Sequence, residues 1–145
     1  MFENLIKFLK DKLKNNTKIE EVFTYEAGQF KGDPVAIIVP SSNEGDYETN
    51  SENVRIYAFK IMLFVRRTQP RTEDDAEVVM RELVSSVIDD FDRDYILSGL
   101  EVPSGYTFIN VFATPSAWGY SGGEDQYRVC EINLKCRVSI DLNNI

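Results

Sequence analysis

The 145 residues include no histidine, which removes Ser-His and Cys-His nucleophile pairs and every histidine-liganded metal design. Neither common phosphate cradle, G-x-x-x-x-G-K-[ST] or G-x-G-x-x-G, occurs in the chain. The two cysteines, Cys130 and Cys136, lack C-x-x-C spacing. On one extended strand they stand about 20 Å apart, against the roughly 7 Å a disulfide needs, so they read as small buried hydrophobes. Carboxylate-only hydrolysis remains open, because two acids suffice for it. With 24 acidic residues, no particular pair stands out. One constellation comes near a calcium loop. Asp90, Asp92, Asp94 and Glu101 occupy positions 1, 3, 5 and 12 of that motif, and Leu97 its apolar eighth. Tyr95 stands where the sharp turn requires glycine, and Val102-Pro103-Ser104-Gly105 cannot supply the exit helix, so the reading is an acidic helix end running into a loop. The residues thus predict a structural or interaction subunit with no cofactor and no metal.

Charge points the same way. The net charge is −8, and it is segregated. Residues 72–94 hold nine acids against two bases, and residues 44–52 hold four acids and no base. Residues 53–71 hold five bases and no acid. An acidic chain of this kind argues against general nucleic-acid binding, which needs an overall basic surface. Such blocks suit either solvated faces with local ion pairs or complementary faces on neighbouring subunits. On the second view the candidate subunit-interface residues are Glu44, Asp46 and Glu48 on the acidic side and Arg66, Arg67 and Arg71 on the basic side. Trp118 and Tyr120 join them, because large aromatics between Pro115 and Gly122 either fold back on the core or anchor a partner.

The elements that must position these residues follow from periodicity. Phe2, Leu5, Ile6, Leu9 and Leu13 form one apolar stripe, predicting an amphipathic helix that packs on a sheet or, alternatively, meets a membrane surface or partner. Lys18–Ala27 and Val35–Val39 read as strands, and residues 41–53 as a long polar loop. Val54–Arg67 is apolar on both sides and predicts a central strand. Thr72 caps a helix whose apolar positions run from Ala76 to Phe91, with Asp89, Asp90, Asp92 and Asp94 opposing the dipole at its end. Tyr106–Phe112 predicts a strand, Ala113–Asp125 a loop, and Cys130–Leu142 a final alternating strand, long enough to project or to pair with another chain. No apolar run approaches the roughly 20 residues that span a bilayer. The expectation is one α+β domain: a mostly antiparallel β-sheet with an N-terminal helix and one long central helix packed on one face.

In size and in this order of elements, over nearly the whole chain, the sequence resembles the tail terminator (tail completion) proteins of long-tailed bacteriophages and related head–tail neck proteins. The likeness is carried by the N-terminal helix, the long strand Val54–Arg67, the acid-capped helix Thr72–Leu83 running into Ile88-Asp89-Asp90-Phe91, and the closing strand Glu131–Asp141. The resemblance implies a hexameric ring in the virion neck, assembled in the host cytoplasm. Such a ring would cap the tail tube, end its polymerisation and present the head–tail joining surface. The implied partners are other copies of the chain, the tail tube protein, head–tail connector proteins, and genome DNA passing the lumen without specific binding; no membrane is implied. The family carries no catalytic residues to transfer. A different reading of the same residues is a small non-enzymatic protein-binding module acting through the Trp118–Tyr120 loop.

Overall fold

Leu5, Leu9 and Leu13 recur every fourth residue, on one face of helix α1 (Phe2–Lys14), and all three are buried. In this computed structural model, which describes residues 1–41, 53–68, 71–141 and 143, that face lies on a five-stranded sheet. The strands are β1 (Glu21–Phe23), β2 (Val35–Pro40), β3 (Val54–Arg66), β4 (Tyr106–Ser121) and β5 (Tyr127–Ile140), in the order β1-β2-β3-β5-β4. Only β1 and β2 are parallel; all other neighbours are antiparallel. The second helix, α2 (Glu73–Arg93), lies between β3 and β4 in the chain. The fold is therefore the α+β arrangement expected, and β3 is indeed the middle strand.

Alternation decides which side of the sheet meets the helices. Tyr57, Phe59, Ile61, Leu63 and Val65 of β3 and Cys130, Ile132, Leu134, Cys136, Val138 and Ile140 of β5 point to one side. There they share a core with the α1 leucines and with Ala76, Met80, Leu83, Val87 and Phe91 of α2. Each such apolar side chain contributes about 1.5–3 kcal/mol by leaving water. Phe2 is the exception in the stripe: it stays half-exposed but meets Tyr57 and Phe59 edge-on, at centroid distances of 4.7 and 5.8 Å. The opposite side of the sheet carries a second, smaller cluster. Phe30 folds over Phe64 and Tyr127 there, and Val35 and Ile37 complete it.

The helix α2 starts where its cap predicts. The Thr72 hydroxyl accepts from the Asp75 amide, and the Thr72 amide donates in return to the Asp75 carboxylate. At its other end Asp89, Asp90 and Asp94, three of the acids that oppose the dipole, have specific partners. Asp90 accepts from Asn16, just past the end of α1, at 2.8 Å, Asp94 pairs with Lys12 of α1 at 3.1 Å, and Asp89 lies 3.9 Å from Arg93 on α2 itself. Asp94 also accepts from the Ser98 amide, which shapes the turn after the helix. Burial, the largest single influence on Asp94, opposes ionisation. The Ser98 amide and the Lys12 ammonium outweigh it and hold the carboxyl below its ordinary value. Asp90 and Asp94 are tied to the end of α1 and to their own turn, and no cluster of three potential metal ligands occurs among the described residues.

Three expectations need correction. The strand predicted over Lys18–Ala27 shrinks to Glu21–Phe23, because Asn16 and Pro34 hold the approach to it in a turn. The final strand does not project: β3 and β4 flank it along nearly its whole length. The loop predicted over Ala113–Asp125 is mostly strand, since β4 continues to Ser121. Its length is what covers β5 on that side, and β4 is therefore the outer strand of the sheet there.

Candidate interface at the tip of the long hairpin

The β4–β5 hairpin closes through Gly122, held at φ 85° where only glycine is unstrained, and a short 3₁₀ turn at Gly123–Asp125. Two register shifts, at Phe108/Asn110 and Pro115/Ala117, mark β4 as an edge strand adapted with bulges. The outward direction of its backbone can be read from one bond. The Val111 amide donates at 2.8 Å to the carbonyl of Tyr95, away from β5. Val111 pairs with Cys136, whose backbone therefore faces β3, as do those of Leu134, Ile132, Cys130 and Arg128 along the unbroken strand. Their partners Ala113, Pro115, Trp118 and Tyr120 must turn their amides and carbonyls outward. Pro115 thus lacks its N–H where β5 does not need one, so a proline is tolerated mid-strand.

Beyond Pro115 the strand outruns the helices and becomes exposed. Trp118 and Tyr120 point to the helix side of the sheet, 45% and 52% exposed. Arg128 of β5 stands beside both, its guanidinium 5.5 Å from the Trp118 ring centre and 4.7 Å from that of Tyr120. Its Nε and Nη2 donate to the two carboxylate oxygens of Glu77 on α2, at 2.8 and 3.2 Å, and Nη1 to the Gly119 carbonyl at 3.1 Å. Such a fork holds the guanidinium in one plane. Arg67 also approaches Tyr120, its guanidinium 4.5 Å from the ring centre, and donates to the Asp125 carbonyl at 2.7 Å. Stacking on fixed guanidinium groups pre-orders the two aromatics while leaving their outer faces in water.

The residues nominated from sequence divide into three sets. Trp118 and Tyr120 come together with Arg67 in this cluster. Arg71 is tied instead to Asp33, whose other oxygen accepts from the Arg66 amide at 3.0 Å. Arg67 and Arg71 thus meet acids and carbonyls of their own chain: Arg71 clamps the loop before β2 to the exit of β3, and Arg67 reaches Glu73 at 3.6 Å, whereas the buried Arg66 Nε has no hydrogen-bond partner among the described residues. Glu44, Asp46 and Glu48 lie outside the described residues. Sequence reasoning missed Arg128 and Glu77, whose contact joins positions 51 residues apart. One local signal existed. Ala117, Gly119 and Ser121 alternate with Trp118 and Tyr120, a period of two that marks a strand.

Both cysteine thiols are buried. Burial pushes the Cys130 thiol up to about 11 and that of Cys136 to about 12, so both stay protonated and both are free. No helix among the described residues is long and apolar enough to cross a membrane. No protein-family model matches the sequence, and no curated protein matches it either.

Proposed function

We propose that this chain is a structural virion subunit of the tail-terminator kind, assembling with its own copies into a ring that caps the tail tube of a long-tailed phage. In that role it ends tube polymerisation and offers the head–tail joining surface, while DNA passes the lumen without specific binding. The observation that carries the reading is the pre-ordered, half-exposed Trp118–Tyr120 pair on the open half of an edge strand. Aromatic anchors held rigid before contact lose little entropy on binding and suit a protein interface. The α+β order of elements that carries the family resemblance supports the more specific part of the proposal.

The test is mass in solution, by light scattering across a concentration series, alone and with purified tail tube protein. A ring-sized particle, or capture onto tube ends seen by electron microscopy, is the expected result. A strictly monomeric chain with no affinity for tube protein overturns the proposal. The same exposed pair also favours a second reading, a monomeric protein-binding module. There Trp118→Ala abolishes partner capture and leaves oligomeric state untouched, whereas the ring reading requires the oligomer to weaken.

A further inference from the structure

The sheet has two edges, β1 and β4, and each leaves backbone groups unpaired among the described residues. On β1 the Glu21 amide donates toward β2, to the Pro34 carbonyl at 3.4 Å. Alternate residues of a parallel strand face the same neighbour, so the amide and carbonyl of Val22 face away from the sheet. On β4 the first half of the edge is closed at Val111 by Tyr95, and Pro115 has no amide to offer. Ala113 between them is a single open position, and beyond Pro115 the open run is Trp118–Tyr120, where both of those residues point N–H and C=O outward.

The sides of the two edges fit each other in shape. On the face away from the helices, β4 presents Ala117, Gly119 and Ser121, which leave a trough of about 270 Å³ floored by Met62, Phe64 and Val129. A Cβ built on Gly119 meets nothing within 4 Å, so the trough is open directly above it. At the β1 edge that same face carries large rings instead. Phe23 lies on it, and Tyr25, 61% exposed, packs edge-on against Phe23 at 5.5 Å. A bulky aromatic beside a strand glycine is a stabilising neighbour, because it covers the backbone the glycine leaves bare.

Strand sense agrees. From the pairings, β1 runs with β2, against β3, with β5 and against β4. Copies related by rotation about an axis along the strands keep those senses, so an incoming β1 lies antiparallel to β4. We infer that the β1 edge of one copy adds antiparallel to the Trp118–Tyr120 edge of the next, with the Phe23–Tyr25 rings seated over Gly119. This rests on the self-assembly proposed above and names the two surfaces that perform it. Because the surfaces differ, the contact is heterologous, the kind that closes a ring.

The test uses the full chain with paired substitutions, sized by light scattering and checked for folding by circular dichroism. Tyr120→Pro and Val22→Pro each delete one outward amide, and Tyr120→Ala and Val22→Ala are the side-chain controls. Each proline variant alone is expected to be monomeric; Val22→Ala is expected to assemble as the wild type does, and Tyr120→Ala, which loses an anchoring ring but keeps its amide, to assemble more weakly than the wild type yet still beyond the monomer. Mixing the two proline variants restores one good edge from each and gives a one-to-one dimer that goes no further. Gly119→Leu, which fills the trough without touching the backbone, is expected to raise the concentration needed for assembly at least tenfold. It decides the matter if a proline variant does not fold. Assembly unchanged by Gly119→Leu, or by both proline variants while the wild type assembles, overturns the edge pairing and leaves the subunit reading standing. Loss with Tyr120→Pro but not Val22→Pro means β4 pairs with β4 and likewise overturns it. A wild-type chain that is monomeric at every concentration sinks the subunit reading itself, and the edge pairing with it.

Discussion

The two halves of the β4–β5 hairpin share one backbone ladder and differ in everything else. At the base, Val111 and Ala113 sit against Cys136 and Leu134 beneath the helices, and Tyr95 closes the edge. At the tip, the same ladder carries Trp118 and Tyr120 outward, held by Arg128, Arg67 and Glu77 instead of by a core. The base is ordered by burial, which is strong and non-directional. The tip is ordered by stacking and a forked ion pair, which are weaker but leave the outer surface free for a partner. Rigidity and exposure are hard to obtain together, and this cluster of two arginines and two aromatics supplies both.

That contrast can be broken from either side. Removing Leu134, fully buried at the base, should have the largest effect. Leu134→Ala is expected to cost about 3 kcal/mol of folding stability, read from denaturant unfolding. Arg128→Ala comes next, at about 2 kcal/mol, because it takes away the Glu77 fork and both ring contacts at once while Glu77 stays partly hydrated. Restoring charge alone with Arg128→Lys should recover little, since an ammonium cannot make the fork. Trp118→Ala should cost only about 0.5 kcal/mol of folding stability, as one exposed cation–π contact does. If Trp118→Ala instead cost as much as Leu134→Ala, the tip would be an extension of the core and the distinction between the halves would fail.

The smallest effect is a pH dependence on the base side, where Lys12 and Asp94 join the two helices. The folded-state pKa of Asp94 is lowered, so its ionised form adds stability above the unfolded value and loses that contribution as the pH falls below about 4. The stability gap between wild type and Asp94→Asn is expected to be constant near neutrality and to close on acidification. Thermal melts over that range check the sign.

Much of the base was legible along the chain. Apolar spacing of three and four marked α1 and α2, the Thr72–Asp75 box marked where α2 begins, and strict alternation from Cys130 to Ile140 assigned every buried residue of β5 to one side. The tip was not. Pro115, Gly119 and Ser121-Gly122-Gly123 are the residues that usually interrupt a strand, so the segment reads locally as a loop. Only its place in the sheet reverses that reading. On an edge, a proline whose amide would point outward removes nothing, and Gly119 is held in extended form by its pairing with Val129.

What the sequence determined by itself is therefore the periodic part: two amphipathic helices, a central strand apolar on both sides, and an acidic, histidine-free composition. Each of these is a property of residues within one turn or one pleat of each other, where local geometry is enough. Only the tertiary structure decided which strand is left open and how its aromatics are held. The Arg128–Glu77 fork joins residues 51 positions apart, and Arg71 finds Asp33 38 positions away. Contacts at such separations form only when the whole sheet has closed, and nothing in the local pattern of either partner specifies them.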